Sequence, residues 1–167
     1  IVLPKYGFDD LLRMTCEMGV DVIQPLVSDR SVIKKFSGTK LSRWHSILRE
    51  SVEQSERLWI PELKECSNYQ NWIQNKSSRC AYGFATTRIN GLKDCQIWLS
   101  QSSFDIDELW VVVGPEGGWT QEEEALAISS GFVGIHFGDT ILRTSTAGVA
   151  ACQLMAAWRR TGALFCY

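Results

Sequence analysis

The feature that most constrains the fold is a continuous apolar run that ends in the glycine-rich segment GPEGGW. Residues 109–113 read LWVVV, which is typical of a strand buried on both faces of a parallel sheet, and Gly114 ends the run. Thr120 and Glu123 match a capping box, because each side chain can accept a backbone N–H of the other residue. A helix is therefore predicted to begin near Gln121, and GPEGGW is a strand-to-helix loop.

The rest of the chain alternates helical and strand patterns without an internal repeat. Apolar spacing predicts three further helices, at residues 8–18, from residue 41 to Pro61, and over residues 147–160, where Arg159 and Arg160 are expected to close the last one. Strands are predicted at residues 20–27, interrupted or edged by Pro25, and at residues 81–86 and 132–137; residues 91–101 fit either element. This alternation predicts an α/β fold with a mainly parallel sheet flanked by helices.

In an open α/β sheet, a strand-to-helix loop lies at the carboxyl edge, where ligands usually bind, although GPEGGW could also be a tight turn without a ligand. The loop lacks the lysine of a phosphate-binding P-loop. A dinucleotide-binding turn stays open as an alternative, because Asp139 follows the next predicted strand. Against it, Glu122, Glu123 and Glu124 crowd the helix start and would repel a pyrophosphate. The pattern favours a neutral or cationic ligand.

Length and composition limit the protein class. The chain has 167 residues, 45% of them hydrophobic, which is enough for one domain with a substantial core. No apolar run is long enough to span a bilayer, so no membrane association is predicted. The six cysteines form no CxxC pair and only two histidines are present, so the sequence predicts no metal site. Free thiols indicate a reducing compartment, the cytoplasm or an organelle stroma or matrix.

The charges are unevenly distributed along the chain. Residues 30–49 contain basic residues and no acidic ones: Arg30, Lys34, Lys35, Lys40, Arg43 and Arg49. A basic segment of this size is either an RNA-binding surface or a solvated face.

A second informative loop, GDTILRTSTAG, connects the strand at residues 132–137 to the last helix. Ile141 and Leu142 either plug the core beneath the loop or form the apolar wall of a pocket. In the second case Arg143 directs a positive charge at a substrate. The last helix can be capped by a hydroxyl from one of three residues, Thr144, Ser145 or Thr146.

These two loops carry a family resemblance. GPEGGWTQEE and GDTILRTSTA resemble the GPEGG[FL]S and LGxRILRxETA motifs of the ribosomal RNA small subunit methyltransferase E family, uridine-N3 methyltransferases of the SPOUT class. Upstream, LLRMTCEMGVDVIQPLVSDRSV and WHSILRESVEQSERLWIPEL are similar to further segments of that family. The resemblance covers essentially the whole chain, as a methyltransferase domain at residues 1–167 without the family's amino-terminal RNA-binding barrel.

The resemblance implies a deep C-terminal trefoil knot that binds S-adenosylmethionine. A first cofactor loop is implied at Gly114, Glu116, Gly117 and Gly118, a second at Phe137, Gly138, Ile141, Leu142, Arg143, Thr144 and Thr146, and a third at Thr86 and Thr87. Arg143 is the implied catalytic residue. The implied substrate is small-subunit ribosomal RNA, bound by Arg13, Arg30, Lys34, Lys35, Lys40 and Arg43, and the implied assembly is a homodimer.

The chain departs from the family pattern at three positions. Met14, Thr140 and Ser145 replace residues that are usually Lys, Arg and Glu. Arg13 and Arg143 are candidates to compensate for the lost charges. The alternative is a knotted domain that binds RNA or S-adenosylmethionine without turnover.

Overall fold

A computed structural model of the chain describes residues 1–33 and 38–164. The helices of this part are α1 Phe8–Glu17, α2 Gly38–Gln54, α3 Tyr69–Gln74, α4 Cys95–Ser100, α5 Gln121–Ser129 and α6 Thr144–Leu164. The strands are β1 Val22–Ile23, β2 Leu26–Val27, β3 Glu62–Leu63, β4 Ser67–Asn68, β5 Cys80–Ala85, β6 Lys93–Asp94, β7 Glu108–Val113 and β8 Val133–His136.

The main sheet has four parallel strands in the order β6-β8-β5-β7. The predicted parallel sheet is therefore confirmed. β7 forms one edge of these four strands, and only its last two residues, Val112 and Val113, are buried. The expectation that this run is buried along its whole length is wrong, because Leu109, Trp110 and Val111 are only half-buried.

Beyond β7, short segments of the chain pair in parallel. The backbone N–H of Val2 donates to the carbonyl of Val113 over 2.9 Å, and Val2 also bridges Leu26 in parallel. β2 in turn pairs with β4, and β1 pairs with β3. The amino-terminal residues thus connect the main sheet to the region that contains α1 and α2.

Helices cover both faces of the main sheet. Successive residues of β5 point to opposite faces, as the period of a strand requires: Phe84 joins a cluster with Tyr69 and Trp119, whereas Ala85 packs with Trp98 and Ile135. α3 and α5 therefore lie on one face, and α4 and α6 on the other. A third cluster lies between α1 and α2: Leu11, Leu12, Trp44 and Leu48.

A proline and a glycine end secondary-structure elements at the positions that the sequence predicts. Residues 20–27 form two short strands on either side of Pro25, which has no N–H to donate to a ladder. α1 ends before Gly19, whose φ of 97° only glycine adopts without strain.

The predicted end of the last helix is wrong. α6 continues past Arg159 and Arg160 to Leu164. Gly162 leaves space for the ring of Phe104, which stacks on Trp158 with centroids 4.7 Å apart. This packing stabilises the helix at Gly162, a residue type that often ends a helix.

The ambiguous residues 91–101 contain both element types. Asp94 ends β6 and caps α4, because its side chain accepts the N–H groups of Gln96 and Ile97. No sequence pattern indicated three short elements: β3, β4 and α3.

The described residues also settle the length of apolar helices and the state of the cysteines. No helix within residues 1–33 and 38–164 is both long and apolar enough to cross a membrane. The described cysteines are free thiols: Cys16, Cys66, Cys80, Cys95 and Cys152.

Candidate functional site

Three loops meet at the carboxyl edge of the main sheet. They follow Ala85 of β5, Val113 of β7 and His136 of β8. Together they line an open cavity of about 350 Å³. Ligands of open α/β sheets bind at this edge, so the cavity is the candidate functional site.

The cavity brings together almost all the residues predicted to hold the cofactor. Those that line it are Thr86, Thr87, Gly114, Glu116, Gly118, Phe137, Gly138, Ile141, Leu142, Arg143 and Thr144. Gly117 and Thr146 are not part of the lining: the Gly117 carbonyl accepts a hydrogen bond from Arg30, and Thr146 is exposed on α6. Two motifs that are separate in the sequence thus form one site.

The GPEGGW loop is a compact turn packed against Trp119. The N–H of Gly118 donates to the carbonyl of Pro115 over 2.9 Å, and Gly118 has a φ of 70°. A Cβ on Gly114 would lie 2.7 Å from the Trp119 ring, which is too close for any side chain. The Trp119 indole N–H donates to the carbonyl of Ala85 over 2.9 Å. Glycine at position 114 therefore lets the loops after β5 and β7 approach each other.

The predicted capping box at the start of α5 is confirmed. The Thr120 hydroxyl accepts the N–H of Glu123 over 3.2 Å, and the Glu123 carboxylate accepts the N–H of Thr120 over 2.9 Å. The second carboxylate oxygen of Glu123 accepts the N–H of Asp29 over 2.9 Å. Glu123 is only 1% exposed, so it is a buried link between α5 and the loop after β2.

The neighbouring glutamates do not face the cavity. Glu122 is exposed to solvent, and Glu124 is buried and accepts a 2.5 Å hydrogen bond from the Thr86 hydroxyl. Successive residues of a helix point about 100° apart, so three consecutive acids cannot share one site. The expectation that three carboxylates crowd the ligand is wrong. Glu116 is the one acidic residue of the described cavity lining, and the preference for a cationic ligand depends on it.

The second loop is fixed at both ends by hydrogen bonds. Gly138, with a φ of 119°, donates its N–H to Nδ1 of His136 over 3.2 Å. The Thr144 hydroxyl donates to the carbonyl of Gly114 over 2.9 Å, so it joins the two loops and does not cap α6. Ile141 is 83% exposed and lines the cavity with Leu142, which favours the pocket-wall interpretation over a core plug.

The described lining contains no cysteine and no serine. Elsewhere, burial and the nearby Asp94 raise the pKa of the Cys95 thiol to about 12, and burial raises that of Cys152 to about 12 as well. Neither thiol is a thiolate at neutral pH. The described lining therefore offers neither a thiol nor a serine hydroxyl as a covalent nucleophile.

Residues 1–156 match the sequence model of a family described as the RNA methyltransferase domain. The chain belongs to this family. It is 36% identical to the ribosomal RNA small subunit methyltransferase E of Synechocystis over 93% of the chain and 52% of the relative. This match confirms the resemblance that the two motifs indicate. The chain spans about half the length of the curated relatives it matches.

Solved structures agree with this membership of the RNA methyltransferase domain family. The ribosomal RNA small subunit methyltransferase E of Neisseria gonorrhoeae, bound to S-adenosyl methionine, superposes with a TM-score of 0.82 at 29% identity, covering 93% of this chain and 63% of that one. A Legionella pneumophila methyltransferase in complex with the same cofactor also gives 0.82, at 25% identity, covering 93% and 64% of the two chains.

In this RNA methyltransferase domain, two of the basic residues predicted to bind RNA are held in ion pairs. Arg13 contacts Glu17 at 3.0 Å, and Arg43 contacts Asp9 at 2.8 Å. Neither arginine lines the cavity. Two further predicted residues lie outside the described part of the chain: Lys34 and Lys35.

Arg30 contacts the GPEGGW loop through its side chain. Its guanidinium donates to the carbonyls of Gly117 and Trp119, each over 3.0 Å. It therefore holds the GPEGGW loop in place. Lys40 is exposed near the start of α2.

Several residues of the cavity lining were not indicated by the sequence. These are Ala85, Arg88, Val113, Pro115, Trp119, Ile135, His136, Thr140 and Ala147. Most of them adjoin the predicted loop residues, which was an available signal. Arg88 also adjoins a predicted residue, Thr87, but only the fold brings its guanidinium over the glycine loop, 3.4 Å from the position of a Gly118 Cβ.

Proposed function

We propose that this chain is an S-adenosylmethionine-dependent methyltransferase domain, spanning residues 1–167, that methylates N3 of a uridine in small-subunit ribosomal RNA. The observation that carries the proposal is the convergence of two separated motif loops on one cavity at the carboxyl edge of the sheet. The names of the relatives support the substrate, and two related structures bound to S-adenosylmethionine support the cofactor.

The residues of the cavity fit this cofactor. Gly118 lines the cavity without a side chain, and Glu116 is the one carboxylate of the described lining, which suits a cation. Phe137 and Leu142 supply apolar surface for an adenine ring. When bound, S-adenosylmethionine supplies an electrophilic methyl group on a sulfonium centre.

The protein then has to hold a uracil in its reactive form. N3 of uracil is a weak acid, so the chain must favour the deprotonated base and align it. The Arg143 guanidinium lines the cavity and stabilises the negative charge that develops on the base. No covalent nucleophile is required.

A deep trefoil knot at the C-terminus belongs to this proposal. The second cofactor loop and the start of α6 would thread through a preceding loop, which is a rare exception to the usual chain connections. Support comes from the hydrogen bond between Thr144 and Gly114 and from the packing of α6 against α1, α4 and β7.

A binding domain without turnover is the second candidate function. Thr140 lines the cavity where the resembled motif carries an arginine, so one cation of the usual site is missing. The two candidates differ only in methyl transfer.

We further propose a homodimer in a reducing compartment such as the cytoplasm. An apolar groove of about 600 Å³ lies away from the cavity, and its aromatic lining is Phe104, Trp110 and Trp158. Large exposed apolar surfaces of this kind mark association sites. Sedimentation at micromolar concentration tests it, and a monomer would count against the dimer.

The decisive experiment is transfer of a labelled methyl group from S-adenosylmethionine to small-subunit RNA, alongside calorimetric titration with S-adenosylhomocysteine and NAD. Methylation at N3 of one uridine is the expected result. Cofactor binding without transfer supports the second candidate. Tighter binding of NAD than of S-adenosylhomocysteine would refute both and favour a dinucleotide site.

Gly118→Val should weaken S-adenosylhomocysteine binding by about 100-fold or more, because a side chain blocks the approach of the ligand to the backbone. A Cβ at this position would lie 3.4 Å from the Arg88 guanidinium. Gly91→Val is the matched control, since Gly91 has a similar φ of 76° and no atom within 4 Å of the added Cβ. Equal affinity losses in both variants would mean that backbone strain, and not the cavity, causes the effect.

A further inference from the structure

We propose that Arg88 binds a phosphate of the RNA substrate, so that the target nucleotide enters the cavity across a rim formed by Arg88, Ile141 and Arg143. This inference depends on the proposed RNA methyltransferase function. It assigns RNA contact to the cavity rim, in addition to the basic segment at residues 30–49.

The position of Arg88 places its charge at the opening of the cavity. The residue follows β5 by three positions, lines the cavity and is exposed to solvent. Its guanidinium lies over Gly118, with Cζ and Nη2 each 3.4 Å from the position that a Gly118 Cβ would occupy. The charge is therefore next to the cofactor loop and accessible to a second ligand.

Buried groups anchor the loop that carries Arg88. Its backbone N–H donates to the Thr86 hydroxyl over 3.4 Å, and that hydroxyl donates to the Glu124 carboxylate over 2.5 Å. Thr86 and Glu124 are 8% and 9% exposed. The backbone at this position is thus held in place while the side chain reaches the rim.

The guanidinium groups of Arg88 and Arg143 form no hydrogen bond or ion pair with residues 1–33 and 38–164. Five other arginines are paired with acids, namely Arg13, Arg43, Arg57, Arg79 and Arg159. Glu116, the one acid of the described lining, accepts the N–H of Lys5 over 3.0 Å. The rim therefore carries two cations that are available to an external anion, and RNA supplies one per nucleotide.

Ile141 provides the apolar part of the same rim. A large aliphatic side chain that is 83% exposed gains by being covered. An enzyme that modifies a base takes it out of its stack and packs it against apolar side chains. Two cations and an exposed aliphatic residue in one cavity lining suit a single unstacked nucleotide, with its base on Ile141 and its phosphate on Arg88.

The test is RNA binding by the full chain saturated with S-adenosylhomocysteine, which needs no turnover. A fluorescent, uridine-containing single-stranded RNA is titrated at several salt concentrations. The proteins compared are the parent, Arg88→Ala, Arg88→Lys and Arg160→Ala, an exposed arginine of α6 outside the cavity lining.

Arg88→Ala should weaken RNA binding about tenfold, as expected for a hydrogen bond to a charged group. It should also reduce the log–log salt slope by about 0.7, the value for one phosphate contact on a single strand. Arg88→Lys should retain most of the salt slope, because lysine binds phosphate as a point charge. Arg160→Ala should match the parent.

Several outcomes would overturn the inference. One is an unchanged salt slope in Arg88→Ala, and another is a parent chain that binds no RNA. A third is a loss of S-adenosylhomocysteine affinity with unchanged binding of 5′-methylthioadenosine, which lacks the carboxylate, since Arg88 would then bind the cofactor. Failure of methyl transfer with an intact Arg88 effect on RNA binding would refute only the proposed catalytic function.

Discussion

Replacing Arg143 by alanine should lower kcat for methyl transfer by about 100- to 1,000-fold, the usual effect of removing one donor that stabilises a developing anion. Arg143 lines the cavity and its guanidinium has no partner within the described residues, so its charge is available to the uracil. The Kd for S-adenosylhomocysteine should change little. Steady-state kinetics with small-subunit RNA and calorimetry with the cofactor product measure the two effects separately.

Arg143→Lys and Arg160→Ala are the controls for this experiment. Lysine keeps the charge without the planar fork, so an intermediate kcat is expected. Arg160 is exposed on α6 outside the cavity lining, and its removal should leave kcat at the parent value. If Arg143→Ala keeps kcat within about threefold of the parent, Arg143 is not the catalytic residue.

Trp119→Ala should lower the free energy of unfolding by about 3–5 kcal/mol, the usual cost of truncating a buried tryptophan. Trp119 is only 4% exposed, and its ring centroid lies 4.8 Å from those of Tyr69 and Phe84. The ring also fills the space beside Gly114 and lines the cavity, so cofactor affinity should fall as well. Urea denaturation and calorimetry measure the two losses.

Two tryptophan variants separate packing from hydrogen bonding. Trp119→Phe keeps most of the ring but removes the donor to Ala85, so a smaller loss is expected, with about 1 kcal/mol from the hydrogen bond. Trp59, which is 55% exposed, is the matched site, and Trp59→Ala should cost less than about 1 kcal/mol. Equal losses at positions 119 and 59 would contradict the central packing role of Trp119.

Local patterns predicted that the long helices exist but not where they end, since α2 ends at Gln54, before Pro61, and α6 continues past Arg160. The capping box at Thr120 depends on residues three positions apart, and both of its hydrogen bonds are present. Gly19 ends α1, and Pro25 splits a strand, because each residue restricts or frees its own backbone. Short strands such as β3 and β4 were missed because two residues carry no measurable periodicity and depend on their pairing partners.

Residue spacing also failed to predict which way the charged side chains point. The sequence predicts that the acids after Thr120 form a negative patch at a ligand site. In the structure Glu123 and Glu124 are buried and accept hydrogen bonds from Asp29 and Thr86. The exposed guanidinium of Arg30 also donates to two carbonyls of the glycine loop, a contact that the sequence did not indicate. In each case the deciding partner lies dozens of residues away.

The sequence by itself determined the α/β class, the glycine loop between β7 and α5, and the two motifs that indicate the methyltransferase family. These features depend on backbone freedom and on neighbours a few residues apart. Only the tertiary structure decided that the two loops share one cavity and that Arg88 reaches its rim beside Gly118. Parallel pairing of β5, β7 and β8 brings their carboxyl ends to the same edge, and that pairing is a long-range contact that no local pattern encodes.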